Sequence, residues 1–173
     1  MRALVVYESM FGNTEAVAQA VAGGIQESMP VDVVEVGAAP RAVPEDVALL
    51  VVGGPTHVLG MSRPSTRIDA ARQAPAILSL ERGIREWLKG LPVRTGATQA
   101  TAFDTRVTSR ITGSAARVAS RRLDRLGYPL AAAPEGFRVT GVKGPLIDGE
   151  LDRARAWGTV LGAAVAARQS SRS

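Results

Sequence analysis

Val5-Val6-Tyr7-Glu8-Ser9-Met10-Phe11-Gly12-Asn13-Thr14, with Ala18 and Val21 behind it, joins a short apolar run to a turn of small and hydroxyl residues. The pattern reads as a buried strand, a tight turn and the start of a helix. A helix start leaves backbone N–H groups unpaired, and the aligned peptide dipoles place partial positive charge there. Such a turn suits a phosphate dianion, with Ser9, Asn13 and Thr14 as further donors. No lysine or arginine lies between Arg2 and Arg41, so dipoles and hydroxyls would hold the anion.

The spacing resembles the flavodoxin signature. Val5, Val6, Tyr7, Ser9, Gly12, Thr14, Ala18 and Val21 fill its constrained positions. The plainer alternative is a Gly-Asn-Thr turn that caps a helix and nothing more. Other phosphate motifs fit poorly. A P-loop needs a Gly-Lys pair, which the chain lacks, and a dinucleotide fingerprint needs glycines that do not accompany Gly12. The resemblance implies FMN as cofactor, with contacts from Ser9, Met10, Phe11, Gly12, Asn13 and Thr14.

Composition sets the outer limits. The chain has 173 residues, 46% of them hydrophobic and 21% charged, which suits one globular domain with a sizeable core. Residues 1–167 read as that domain, and 168–173 as a loose tail. With no cysteine and a single histidine, disulfides, thiolate catalysis and Cys- or His-rich metal sites are excluded. No signal peptide is visible, and the apolar stretch Ala156 to Ala167 is too short to span a bilayer, so the cytoplasm is the expected compartment.

Apolar β-branched runs recur at Ala3–Tyr7, Val31–Val36, Val47–Val52 and Thr98–Phe103, with a weaker pair at Leu130–Ala133 and Phe137–Thr140. Runs apolar on both faces suggest a parallel sheet covered by helices. Helical periodicity lies between them. It aligns Ala18, Val21 and Ile25 within Thr14–Glu27, and Leu80, Ile84, Trp87 and Leu91 within Leu80–Leu91. In Ser114–Leu126 it aligns Ala116, Ala119, Leu123 and Leu126; in Asp148–Arg168 it aligns Leu151, Ala154, Gly158, Leu161 and Val165. Both tryptophans are expected to pack on the sheet from helices. The expectation is an α/β protein: a flavodoxin-like, doubly wound, five-stranded parallel sheet with helices on both faces. Its ligand site would lie at the carboxyl ends of the strands.

Two further loops should reach that site. Gly53-Gly54-Pro55-Thr56-His57-Val58-Leu59-Gly60 resembles the flavodoxin loop that covers the isoalloxazine ring. The resemblance makes Pro55, Thr56, His57, Val58, Leu59 and Gly60 cofactor contacts. His57 would touch the flavin, act as an acid–base group or play only a loop role. The third loop offers Phe103, Asp104, Thr105 and Arg106, with Phe103 equally suited to the core. Neither loop holds a Tyr or Trp, so the ring should be lightly covered, and Val58 and Thr105 are the positions expected to face it. The long segment from Met61 to Ser79, with Arg63, Arg67 and Arg72, reads as a lid, a docking surface or a plain surface excursion.

The formal charge is +5, and Asp104–Leu126 carries six arginines against two aspartates. Arg117, Arg121 and Arg125 should form an exposed stripe near the flavin end of the sheet. Flavodoxin carriers are usually acidic, so this chain departs from the pattern. The expected partner is a redox protein with an acidic surface docking near the arginines; no membrane is expected, and nucleic acid is disfavoured because stacking aromatics are few. The function implied by the resemblance is FMN-dependent electron transfer. Alternatives are an FMN-dependent NAD(P)H:quinone reductase or oxidase on the same fold, and a flavin-free interaction module.

Overall fold

The computed structural model describes residues 1–57, 60–72, 82–108 and 113–171. Five parallel strands form the sheet: β1 (Arg2–Tyr7), β2 (Val31–Glu35), β3 (Val47–His57), β5 (Gln99–Val107) and β6 (Glu135–Val139), in the order β2-β1-β3-β5-β6. A two-residue strand, β4 (Gly60–Met61), turns back antiparallel on the end of β3. The helices are α1 (Asn13–Ile25), α2 (Pro64–Ala71), α3 (Ile84–Gly90), α4 (Ala115–Arg125) and α5 (Glu150–Ser170). The doubly wound α/β architecture is therefore present, with β4 as an addition to the expected five strands.

Strand alternation divides the core in two. Leu4, Val6, Leu50 and Val52 point to the side covered by α3 and α4, where Trp87 is fully buried and its indole N–H donates to Pro40 O at 2.8 Å. Ala3, Val5, Leu49 and Val51 point to the side covered by α1 and α5. Both faces of β1 and β3 are dry, so their sequences read as unbroken apolar runs rather than as alternation. Each residue of Ala3–Val6 loses its water whichever way it points.

On the second face, α1 and α5 meet backbone to backbone. A Cβ placed on Gly24 would lie 2.0 Å from Arg155 O, and one on Gly158 would lie 2.1 Å from Val21 O. Glycine is needed at both positions for this approach rather than for any unusual dihedral. Trp157 borders the same core and meets Phe103 and Phe137 edge-on, at centroid distances of 6.4 and 6.1 Å.

Several expectations change. β3 and β5 run past the expected Val52 and Phe103 to His57 and Val107, so Gly53–His57 is strand rather than loop. Leu130–Ala133 is not a strand: Leu130 makes a single bridge to Ala100, and Pro129 and Pro134, which lack an N–H, flank the segment. The last parallel strand is Glu135–Val139. Helix α5 continues to Ser170, and Arg168 in the expected loose tail donates to Gln99 Oε1 at 2.6 Å. Leu151 is 44% exposed and off the buried row. Leu80 lies outside the described residues.

Replacing Gly158 by Ala should cost about 1–3 kcal/mol, because the new methyl group forces two packed backbones apart. Gly90→Ala, where nothing lies within 4 Å of the new methyl, should change stability by less than about 1 kcal/mol. Chemical denaturation of both variants checks the contrast; equal effects would mean that the helices do not touch here.

Candidate functional site

At the carboxyl edge of the sheet the chain leaves β1 through Glu8 and Ser9 into the turn before α1. Gly12 sits at φ +86°, a left-handed conformation that glycine adopts at little cost. Ser9 Oγ is fully buried and accepts from Gly12 N at 3.1 Å and Glu15 N at 3.3 Å, holding the turn from beneath. The helix ladder begins with Ala16 N donating to Gly12 O. Among the described residues no acceptor faces the amides of Asn13 and Thr14. These are the unpaired donors that a helix start leaves.

A pocket of about 300 Å³ opens above them, lined by Met10, Phe11, Asn13, Thr14, Pro55, Thr56, His57, Thr105, Arg106, Val107, Val139 and Val142. Its size is at the lower end for small-molecule sites. Three strand ends and the helix start converge on it, so its floor is sheet rather than free loop. Thr14 Oγ1 and Thr105 Oγ1 lie 2.7 Å apart, linking the first turn to the end of β5. One hydroxyl proton of the pair is used between them, and the other is left for a ligand. Asn13 Nδ2 donates to Lys143 O at 3.0 Å, which brings the turn after β6 against the first one.

Asp104 lies under the pocket and is fully buried. Its Oδ2 accepts from Thr56 Oγ1 at 3.0 Å, Ser114 Oγ at 2.7 Å and Ala116 N at 3.1 Å. Ser114 caps α4, and its Oγ also accepts from Arg117 N. One carboxylate oxygen thus fixes the ends of β3 and β5 to the start of α4. The other oxygen, Oδ1, has no hydrogen-bond donor and faces Arg106 Nε at 3.6 Å. Arg106 lines the pocket, and its guanidinium lies over the backbone of Gly136.

On the opposite side of the β3 end, Glu8 is 1% exposed. Its carboxylate accepts from Ser62 Oγ and, at 2.9 Å, from Ile84 N. Arg67 Nη1 donates to Ser62 Oγ and pairs with Glu86 Oε2, both at 3.0 Å. Burial pushes the Glu8 carboxyl above the usual carboxylate range, against the pull of Ser62, Ile84 N and Arg67. Arg85 donates to Met61 O and Ser62 O. Met61, Ser62 and Arg67 are therefore pinned beside the sheet, and residues 73–79 of the long segment lie outside the described residues. Arg67 is 1% exposed and forms no part of a docking surface.

The residues expected at the site separate into groups. Met10, Phe11, Asn13, Thr14, Pro55, Thr56, His57, Thr105 and Arg106 share the pocket wall. Ser9 and Gly12 shape the turn below it, and Asp104 is an internal tie. Gly60 lines a neighbouring cavity of about 420 Å³, to which His57 also belongs. Phe103 is core: it is 1% exposed, and its ring covers Gly53, where a Cβ would lie 2.1 Å away. Thr105 is engaged with Thr14 and is 5% exposed, so it offers no open face for a ring. Val58 and Leu59 lie outside the described residues. Phe11, from the first turn, places a phenyl ring on the pocket wall.

Val107, Val139 and Val142 were not foreseen as wall residues. The Gly141-Val-Lys-Gly-Pro turn after the last strand was the available signal for Val142. Glu8 and Arg67 were also missed as buried partners, because nothing in their local sequence marks burial. The arginine stripe is exposed as expected, but it runs the length of α4 away from the site, and only Arg117 stands near the carboxyl edge. Among the described residues no cluster of three metal-ligating side chains occurs, and no helix is long and apolar enough to cross a membrane.

No protein-family model matches the chain, and no curated protein sequence does. Solved structures do match. A flavodoxin from the domain Archaea superposes with a TM-score of 0.63 at 17% identity, covering 95% of this chain and 99% of that one. Oxidised Flavodoxin 2 from Bacillus cereus gives 0.63 at 15% identity, over 97% and 99%. Rubredoxin oxygen:oxidoreductase from Desulfovibrio gigas gives 0.65 at 17% identity; the match covers 98% of this chain but 37% of that one. The chain has the flavodoxin fold.

His57 stands in the wall between the two cavities. Burial, and secondarily the positive charge of Arg67, lower its pKa from the usual 6.5. The imidazole is then neutral at pH 7. Because the folded value lies below the unfolded one, its contribution to stability is complete above about pH 6.5 and is lost as pH falls toward the folded value. The His57 ring proton followed by NMR should titrate below 6.5, and His57→Gln should flatten the loss of stability as pH falls below about 6.5. A midpoint at or above 6.5 would contradict this placement.

Proposed function

We propose that this chain binds FMN at the carboxyl edge of the sheet and serves electron transfer. The observation that carries the reading is the convergence, on one pocket, of the unpaired helix-start amides at Asn13 and Thr14 with the ends of β3 and β5. The donor set fits a terminal phosphate: backbone N–H groups, the Thr14 hydroxyl and a helix dipole, with no lysine or arginine in the turn. The apolar wall of Met10, Phe11, Val107, Val139 and Val142 fits a flat ring. Likeness to solved flavodoxins supports the same reading at the level of fold.

When bound, the flavin would supply the redox chemistry; the chain binds, orients and tunes it. Asp104 holds Thr56 and the start of α4 still, and Thr14 with Thr105 fixes the phosphate end relative to β5. Arg106, the cation on the wall among the described residues, would favour the reduced, more negative flavin. Neutral His57 adds no charge.

An FMN-dependent NAD(P)H reductase or oxidase is the second reading. It is favoured by the adjoining cavity of about 420 Å³ beyond His57, which has room for a substrate. Anaerobic reductive titration of the FMN-loaded protein separates the two: a carrier should take up electrons in two resolved steps, and a reductase should consume NAD(P)H unaided. Failure to bind FMN at all would leave the flavin-free reading.

Thr14→Val should weaken FMN binding by about 1–3 kcal/mol, the cost of stranding a charged acceptor. Riboflavin, which lacks the phosphate, should bind both proteins alike. Dissociation constants from flavin fluorescence provide the check; equal affinity of the wild type for FMN and riboflavin would remove the phosphate assignment.

A further inference from the structure

Several charged groups on the described surface are neutralised where they stand. Arg2 pairs with Asp32 and Asp46, Arg153 with Glu135 and Glu150, and Arg155 with Glu27. Helix α4 instead carries a row of like charges on one face. Arg117, Arg121 and Arg125 are all exposed, and among the described residues none of them forms an ion pair. At i, i+4 and i+8 they share one face, with about 6 Å of rise between neighbours and about 12 Å from first to last.

The fold does not need this arrangement. Like charges four residues apart destabilise a helix slightly, and Arg117 lies in the first turn, where the dipole is already positive and no acidic residue offsets it. The opposite face of α4, with Ala115, Ala116, Ala119 and Leu123, supplies the packing. Arg125 alone gains from its position near the helix carboxyl end. Exposed Lys89 on the neighbouring α3 extends the basic area.

We infer that the outer face of α4 is a docking surface for a protein that presents carboxylates along a helix or ridge at a similar pitch. Charge complementarity carries the choice of an acidic protein. Nucleic acid is disfavoured because no aromatic side chain of the chain is exposed for base stacking. A lipid surface is disfavoured because the stripe carries no exposed large apolar residue to insert. Docking begins beside the proposed cofactor pocket: Ala115 N donates to Thr56 Oγ1 at 2.9 Å, and Arg117 N donates to Ser114 Oγ at 3.1 Å. As a route for electrons, the surface rests on the FMN reading. As a binding surface it does not.

The experiment measures binding of a labelled glutamate-rich helical peptide, with carboxylates four residues apart, to the flavin-free and the FMN-loaded chain. A single-stranded DNA oligonucleotide and vesicles of anionic phospholipid run beside it. The peptide should bind both forms alike, and its affinity should fall at least tenfold between about 50 and 500 mM salt. The R117E/R121E/R125E variant should lose binding at least tenfold yet melt no lower than the wild type. A variant of equal net charge, R41E/R72E/R155E, should keep binding. Unchanged affinity in the α4 variant, or equal loss in both variants, overturns the assignment. Tighter binding of the oligonucleotide or vesicles through the same arginines overturns the choice of an acidic protein. Loss of FMN affinity without loss of peptide binding would instead count against the cofactor reading alone.

Discussion

Strand β3 is hydrogen-bonded along both edges, to β1 and β5, while both of its faces are covered by helices. That enclosure is the constraint on which the other features depend. A strand with no free edge and no wet face must be apolar through Val47–Val52, and its neighbours must match it in register. Polar side chains gain access to water only where the helices stop covering the sheet, past Gly53. The candidate site lies at the carboxyl end, where polar chemistry is affordable.

Two buried carboxylates stand at that boundary, and their surroundings differ. Glu8 meets a hydroxyl, a backbone N–H and, through Ser62, the guanidinium of Arg67, yet burial still raises its pKa. It ties the first turn to α3 and to the segment after β4. Asp104 gathers three donors on one oxygen and leaves the other without any. Removing a partner from such a group costs several kcal/mol, so each cluster is far more costly to break than its small net worth suggests. Asp104 holds Thr56 at the end of β3, and Glu8 holds the first turn against Ser62 and Ile84.

Much of the fold was legible in the sequence because burial leaves a periodic trace. The runs in β1, β2 and β3 and the buried rows of α1 and α4 follow from local pattern alone. What escaped depends on the third dimension. Phe103 stands at a strand end where site residues gather, but Gly53 on the neighbouring strand gives its ring a bed in the core. Arg67 carries a charge that normally marks a surface, and its burial is explained in three dimensions, where it meets the carboxylate of Glu86 and the Ser62–Glu8 cluster. Leu130–Ala133 has strand composition, but prolines on either side deny it a ladder. Ser9 and Thr14 were legible as polar groups of the first turn; that Ser9 holds the turn from beneath, and that Thr14 meets Thr105, was not.

The same contrast bears on how a ligand would be sensed. Thr14 belongs to the first turn and Thr105 to β5, two elements that are not neighbours in the sheet, yet their hydroxyls meet at 2.7 Å. Asn13 reaches the turn after β6 in the same way. A group bound at the helix start would meet side chains already committed to β5 and to the Gly141–Pro145 turn, and the Thr14–Thr105 hydroxyl pair could answer it by rotating a proton. The strands supply fixed distances, the hydroxyls supply the freedom to respond, and neither requires a mobile loop.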